Sequence, residues 1–199
     1  MYVTVLKANV DSVLNRQHYL NFFDGGAMHK WLTMQQDSSR ANGGILYRVM
    51  QNKNDIFIYV QTYTPFNLQN IEKYGLTYYG QIDVEDLLPK SENQVVTFDA
   101  VLWPSKKHAG KDYYLKDEEE RRAWVENKFE KNGATVISMN EYGNVSIQMK
   151  RPEQEKKIKL TAITVRGTAV VSDVEKFAGM IGAGVGKLKN FGAGMILFK

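Results

Sequence analysis

The sequence predicts an α+β chain built from two tandem ferredoxin-like (RRM-like) βαββαβ domains. Three observations predict it. Strand-like alternation and helix-like periodicity follow one another in the order β-α-β-β-α-β, and the order runs twice. At 199 residues the chain has room for two small domains or one large one. Between Leu88 and Asn93, the run Pro89, Lys90, Ser91 and Glu92 dilutes the apolar pattern. That places an N-terminal domain at 1–90 and a C-terminal domain at 91–199.

In the first half, YVTVLKAN at 2–9 alternates as a strand. Asp24 is the cap of a helix through GGAMHKWLTMQQ, with Met28, Trp31, Leu32 and Gln35 near one face. Asn42-Gly43-Gly44 breaks the chain. ILYRVMQ at 45–51 and DIFIYVQTY at 55–63 flank NKN as a hairpin, which Pro65 ends. NLQNIEKYG at 67–75 predicts a short helix stopped by Gly75, and LTYYGQID a returning strand. The acids of IDVEDLLP read as a turn or a helix start.

The second half repeats the order. VVTFDAVLW at 95–103 is a strand, followed by a basic, turn-rich loop, PSKKHAGKDYY, at 104–114. KDEEERRAWVENKFEKNG at 116–133 is a helix closed by Gly133. Its Glu118–Glu120 and Arg121–Arg122 read as a self-paired, solvated face. ATVISMN and NVSIQMK flank Glu141-Tyr142-Gly143, which predicts a turn splitting the central hairpin. KIKLTAITVRGTAVV is a long strand, Ser172 and Asp173 cap DVEKFAGMIGAG, and GAGMILF is the last strand.

Composition narrows the function classes. Hydrophobic residues make up 43% of the chain, enough for a packed core, yet no apolar run is long enough to span a bilayer. Lys7 and Asn9 interrupt the N-terminal apolar stretch, so no signal peptide is expected. Cysteine is absent, which excludes disulfides and thiolate chemistry. A cytoplasmic protein without a membrane partner is the simplest expectation. Net charge is +4, unevenly spread: residues 1–99 carry 8 Lys/Arg against 10 Asp/Glu, and residues 100–199 carry 18 against 12. A basic half with interleaved aromatics favours a polyanion partner, and a solvated lysine surface is the plainer alternative. Sheet faces of this fold often carry RNA, but the aromatic-rich signature of an ordinary RRM is missing.

The motif that concentrates the chemistry is GVGKLKNFGAG at 184–194. Gly184, Gly186, Gly192 and Gly194 flank a segment holding Lys187 and Lys189. Glycines allow close backbone approach, and amides beside two ammonium groups suit a phosphate chain. A glycine-rich turn before a final strand is the plainer reading. The P-loop pattern fails because Leu188 follows Lys187 where Ser or Thr is required, and the dinucleotide fingerprint fails on spacing.

Three histidines are present, His18, His29 and His108. His29 stands one turn into the first helix, where an imidazole can exchange protons near neutral pH. A half-exposed surface histidine is the alternative. His108 reads as a surface or phosphate contact and His18 as solvated. No metal-ligand spacing and no nucleophile elbow is present, so neither metal nor cofactor is expected. What remains is acid–base chemistry on a phosphodiester. RNA carries its own nucleophile, the 2′-hydroxyl, and needs orientation, proton transfer and charge stabilisation.

These residues resemble the CRISPR-associated endoribonucleases of the CasE type, the subunit that processes precursor RNA in the type I-E Cascade complex. The likeness runs end to end: the opening MYVTVLKAN, then AMHKWL at 27–32 and ILYRV, the WP and basic loop at 103–111, AWVENKFEKNG at 123–133, and VRGTAVVSDVEKFAGMIGAGVGKLKNFGAGMIL. The resemblance implies metal-independent cleavage at the 3′ base of the repeat hairpin in CRISPR precursor RNA. It also implies retention of the product crRNA and partnership with the other Cascade subunits. It carries His29 over as the catalytic acid–base group. Lys106, Lys107 and Lys111 carry over to the hairpin stem, and the glycine loop with Lys187 and Lys189 supports RNA and active site. Many members place Tyr three residues before the histidine; here that residue is Gly26, and Tyr19 is the candidate substitute. The alternatives are a non-catalytic subunit that holds an RNA hairpin and, more remotely, a ferredoxin-like regulatory domain.

Overall fold

A computed structural model describes residues 1–10, 20–149 and 158–199; His18 and Tyr19 lie outside the described residues. Four strands, β1 (Tyr2–Asn9), β2 (Leu46–Asn52), β3 (Asp55–Thr62) and β4 (Leu76–Asp83), form one antiparallel sheet in the order β2-β3-β1-β4. Alternate residues of a strand share a face. Leu6 and Ala8 of β1 and Ile56, Ile58 and Val60 of β3 therefore form one apolar surface. Helix α1 (Gly25–Gln35) covers that surface with Met28, Trp31 and Leu32, all in the same buried cluster. Fully burying a side chain of this size is worth about 1.5–3 kcal/mol.

Local chemistry sets the ends of α1. The Asp24 carboxylate accepts from the amides of Gly26 (3.0 Å) and Ala27 (3.1 Å), two donors a helix start leaves without partners. A four-residue helix, α2 (Arg40–Gly43), follows; the Ser39 hydroxyl caps it by accepting from Asn42, and Gly44 ends it in the left-handed conformation. The helix expected over 67–75 is only a 3₁₀ turn, Ile71–Tyr74, stopped by Gly75. Side chains of α1 and its C-terminal flank account for this. The Gln35 amide donates to the carbonyls of Asn67 and Gln69, each at 2.7 Å, and the Gln36 side-chain oxygen accepts from the Asn67 amide. Those bonds engage the backbone of residues 67–69 outside any helix.

The short helix α3 (Val84–Leu87) leads to β5 (Gln94–Leu102), β6 (Ser105–His108), β7 (Lys111–Tyr114) and helix α4 (Glu118–Glu130). Strands β8 (Ala134–Met149) and β9 (Ile158–Val171), helix α5 (Val174–Ala183) and β10 (Ile196–Phe198) complete the chain. The second sheet has the order β10-β5-β9-β8. Both sheets thus read fourth, first, third, second strand, the arrangement of a ferredoxin-like βαββαβ unit, and the fold is tandem ferredoxin-like as expected. Asp117 and Asp173 cap α4 and α5, and Phe129 of α4 stacks on Phe98 of β5 with ring centres 4.5 Å apart.

Two expectations are corrected. No turn exists at Glu141-Tyr142-Gly143, because β8 runs straight through. Arg121 of α4 holds Glu141 in a two-pronged pair (2.9 and 3.0 Å), and the Tyr142 hydroxyl donates to Asp99 of β5 at 2.9 Å. These partners fix both residues in strand geometry. The loop at 104–114 is a hairpin instead, β6 paired with β7. Ala109 and Gly110 both take positive φ (46° and 78°), the backbone that a two-residue hairpin turn requires.

The chain divides into two compact units. The first comprises Met1–Asp86, the described residues of Ile147–Leu160, and Asn190–Gly192; the second comprises Leu87–Ser146, Thr161–Lys189 and Ala193–Lys199.

Candidate functional site

His29 is half-buried on α1, in the first unit. It lines an open cavity of about 830 Å³ together with Thr33, Ser38, Ser39, Arg40 and Asn190. Burial disfavours the charged imidazole, and the Arg40 guanidinium repels it further, so both hold the His29 pKa below the usual histidine value. Its resting form at neutral pH is therefore the neutral imidazole. Among the described residues the ring makes no hydrogen bond, so a nitrogen is available to accept a proton.

Three chain segments meet at this cavity. The first is α1. The second is the connection to α2, which contributes Ser38, Ser39 and Arg40. The third is the tip of the glycine-rich segment, where the 3₁₀ turn Lys189–Phe191 brings in Asn190. Small residues make that approach possible. A Cβ on Gly25 would stand 2.8 Å from Phe191 Cβ and 3.1 Å from the Gln148 carbonyl. Gly192, at φ 89°, leaves no room for a Cβ without crowding the Tyr47 ring at 3.1 Å. Tyr47 is itself buried, and its hydroxyl donates to the Gly25 carbonyl at 3.3 Å. Burial and the Asp24 carboxylate both push its pKa up, so it remains a phenol that fixes the start of α1.

The second unit holds the lysines. Lys107 of β6, Lys187 and Lys189 line a cleft of about 460 Å³ with Gly184, Gly186 and Lys128 of α4. Several lysines in and beside the cleft are engaged. Lys106 pairs with Glu120 (3.0 Å), Lys187 lies 3.6 Å from Asp112, and Lys189 donates to the Ala183 carbonyl at the end of α5 (2.8 Å). Lys107 and Lys111 form no ion pair among the described residues. Gly184, Gly186, Gly192 and Gly194 all take positive φ. The amides of Gly184, Val185 and Gly194 are committed to Met180, Gly194 and Val101 carbonyls, so they fix the loop's course.

The sequence singled out His29 and the lysines but not Ser38, Ser39, Arg40 or Asn190. The only signal for Ser39 was its place before a glycine-ended turn, and Arg40 had no motif around it. Among the described residues, no three acidic or histidine side chains cluster as metal ligands. None of the described helices is long and apolar enough to cross a membrane.

The family of CRISPR associated proteins matches over residues 1–199. The chain belongs to that family. Its fold is similar to a CRISPR endoribonuclease Cse3 bound to 19 nt RNA, with a TM-score of 0.83, 19% identity and full coverage of both chains. Thermus thermophilus Cse3, bound to an RNA representing a pre-cleavage complex, is similar with a TM-score of 0.81 and 18% identity, again with both chains fully covered. A chain of a CRISPR RNA-guided surveillance complex gives a TM-score of 0.70 at 18% identity, with 100% of this chain and 98% of that one covered. No curated protein matches the sequence. At these identities the likeness concerns the fold.

Proposed function

We propose that this CRISPR-associated protein is a metal-independent endoribonuclease. It binds the repeat hairpin of CRISPR precursor RNA, cuts at the 3′ base of the hairpin, and keeps the product crRNA for assembly with other Cascade subunits in the cytoplasm. The observation that carries the reading is a neutral, unbonded imidazole in an open cavity, next to a fixed cation, in a chain of this family. The fold shared with RNA-bound Cse3 supports it.

The reaction follows from the groups present. His29 accepts the 2′-hydroxyl proton as the 2′-oxygen bonds to phosphorus. The bond from phosphorus to the 5′-oxygen breaks, that oxygen takes up a proton from solvent, and the imidazolium releases its own proton to solvent, restoring the neutral base. The products end in a 2′,3′-cyclic phosphate and a 5′-hydroxyl. The lysine cleft and the β6–β7 hairpin supply cations for the stem phosphates, which is where binding of structured RNA draws most of its affinity.

Incubation of a labelled repeat hairpin in excess EDTA tests the reading. Site-specific cleavage with a cyclic phosphate end is expected. Gly26, which gives the site no side chain near the helix start, favours the second reading, a subunit that holds the hairpin without cutting it. Tight binding with no product at any metal concentration would establish that reading instead.

A further inference from the structure

We infer that Arg40 is a second catalytic residue, whose guanidinium binds the non-bridging oxygens of the scissile phosphate and stabilises the phosphorane. The inference rests on the proposed cleavage function and deepens it. Transesterification through a phosphorane places an extra negative charge on the non-bridging oxygens. Without a cation or donor aimed at them, an imidazole alone leaves the largest electrostatic demand unmet. Arg40 lines the same cavity as His29 and is close enough to disfavour the imidazolium. No carboxylate pairs with it among the described residues. Asp37 is the only carboxylate among the described lining residues, and Lys30, the next residue of α1, is exposed.

The local backbone holds Arg40 in place. Its carbonyl accepts from Ile45 at 2.9 Å, and the preceding Ser39 caps the same short helix. Gly44 ends that helix in the left-handed conformation. The residue therefore sits on a tied segment that leads into β2. The planar fork of an arginine matches two phosphate oxygens at once, which a lysine cannot do.

Single-turnover cleavage of the repeat hairpin by Arg40→Ala, Arg40→Lys and the unchanged protein tests the assignment. Loss of one such donor costs on the order of 10²–10³ in rate. Arg40→Ala is expected to fall by that factor with hairpin affinity within a few-fold, and Arg40→Lys to recover part of it. Two readouts separate this from a structural role. Sulfur in place of one non-bridging oxygen at the scissile phosphate should slow the unchanged protein in one stereoisomer and lose most of that effect in Arg40→Ala. The pKa of His29, followed by NMR in the free protein, should rise in Arg40→Ala, because a repelling charge has gone. The inflection of the pH–rate profile should move up with it. If the unchanged protein cuts the hairpin and Arg40→Ala cuts at the same rate, or keeps the full sulfur effect, the assignment is overturned while the proposed function stands. If the unchanged protein cuts nothing, the proposed function fails first and this assignment falls with it.

Discussion

The cavity around His29 and the lysine cleft of the second unit use charge in opposite ways. The His29 cavity has the Arg40 cation, a neutral base, the Asp37 carboxylate and small polar groups, drawn from residues 29–41 and from Asn190 far along the chain. The lysine cleft has several ammonium groups, but two of them are occupied by internal partners, Asp112 and the Ala183 carbonyl. His29 and Arg40 in the first place have no side-chain bond among the described residues; cations in the second are partly tied into the fold. Under the proposed function, the cations of the second unit hold RNA, whereas the chemistry depends on a few residues kept unpaired.

Several substitutions can break or sharpen that contrast. The largest effect belongs to His29→Ala, which should slow single-turnover cleavage on the order of 10²–10⁴-fold and leave hairpin affinity within a few-fold. Cleavage near the unchanged rate would remove His29 from the chemistry. Next comes Lys107→Ala with Lys111→Ala. These two cations form no ion pair among the described residues, so their loss should weaken hairpin binding roughly tenfold and lower the salt slope by about two. The single-turnover rate at saturating protein should hold. Lys106→Ala, already paired with Glu120, should change the slope less. Salt titrations that overlay the unchanged protein would make all three ordinary surface lysines.

Gly192→Ala acts on the fold beneath the cavity. A side chain at φ 89° against the Tyr47 ring should cost about 1–3 kcal/mol, read as a lower Tm. It should also slow cleavage more than it weakens binding, since Asn190 rides on the same turn. The smallest effect is expected for Lys189→Met. It removes one hydrogen bond to the end of α5 and should destabilise by about 1 kcal/mol or less. A loss of hairpin affinity as large as that of Lys107→Ala would show that Lys189 contacts RNA despite its internal bond.

The order of strands and helices was legible because each element carries its own period and its own cap. Asp24 and Asp173 announce two helices, and each accepts the expected backbone amides; Asp117 does the same for a third in the structure. Glu141-Tyr142-Gly143 misled because turn-forming residues are only a local preference. Arg121 and Asp99, distant in sequence, decide that strand. The hairpin at 105–114 was hidden for a related reason: Ala109 takes a positive φ that its residue type does not advertise. Of the candidate cavity, His29 was singled out from its helix, but Asn190 was not. Its arrival depends on Phe191 packing against Gly25, a contact between residues 166 positions apart that leaves no periodic trace. Arg40 was equally silent, since one arginine in a polar connection looks like any solvated surface residue.

The most direct measurement uses a repeat hairpin whose nucleotide 5′ of the scissile phosphate is 2′-deoxy, with the unchanged protein in excess EDTA. Holding and cutting are predicted to separate completely: the deoxy hairpin binds as tightly as the all-ribose one, and no product forms, while the all-ribose hairpin is cut under the same conditions. Cleavage of the deoxy hairpin, or cleavage of the all-ribose hairpin only when a divalent metal is restored, would contradict the account.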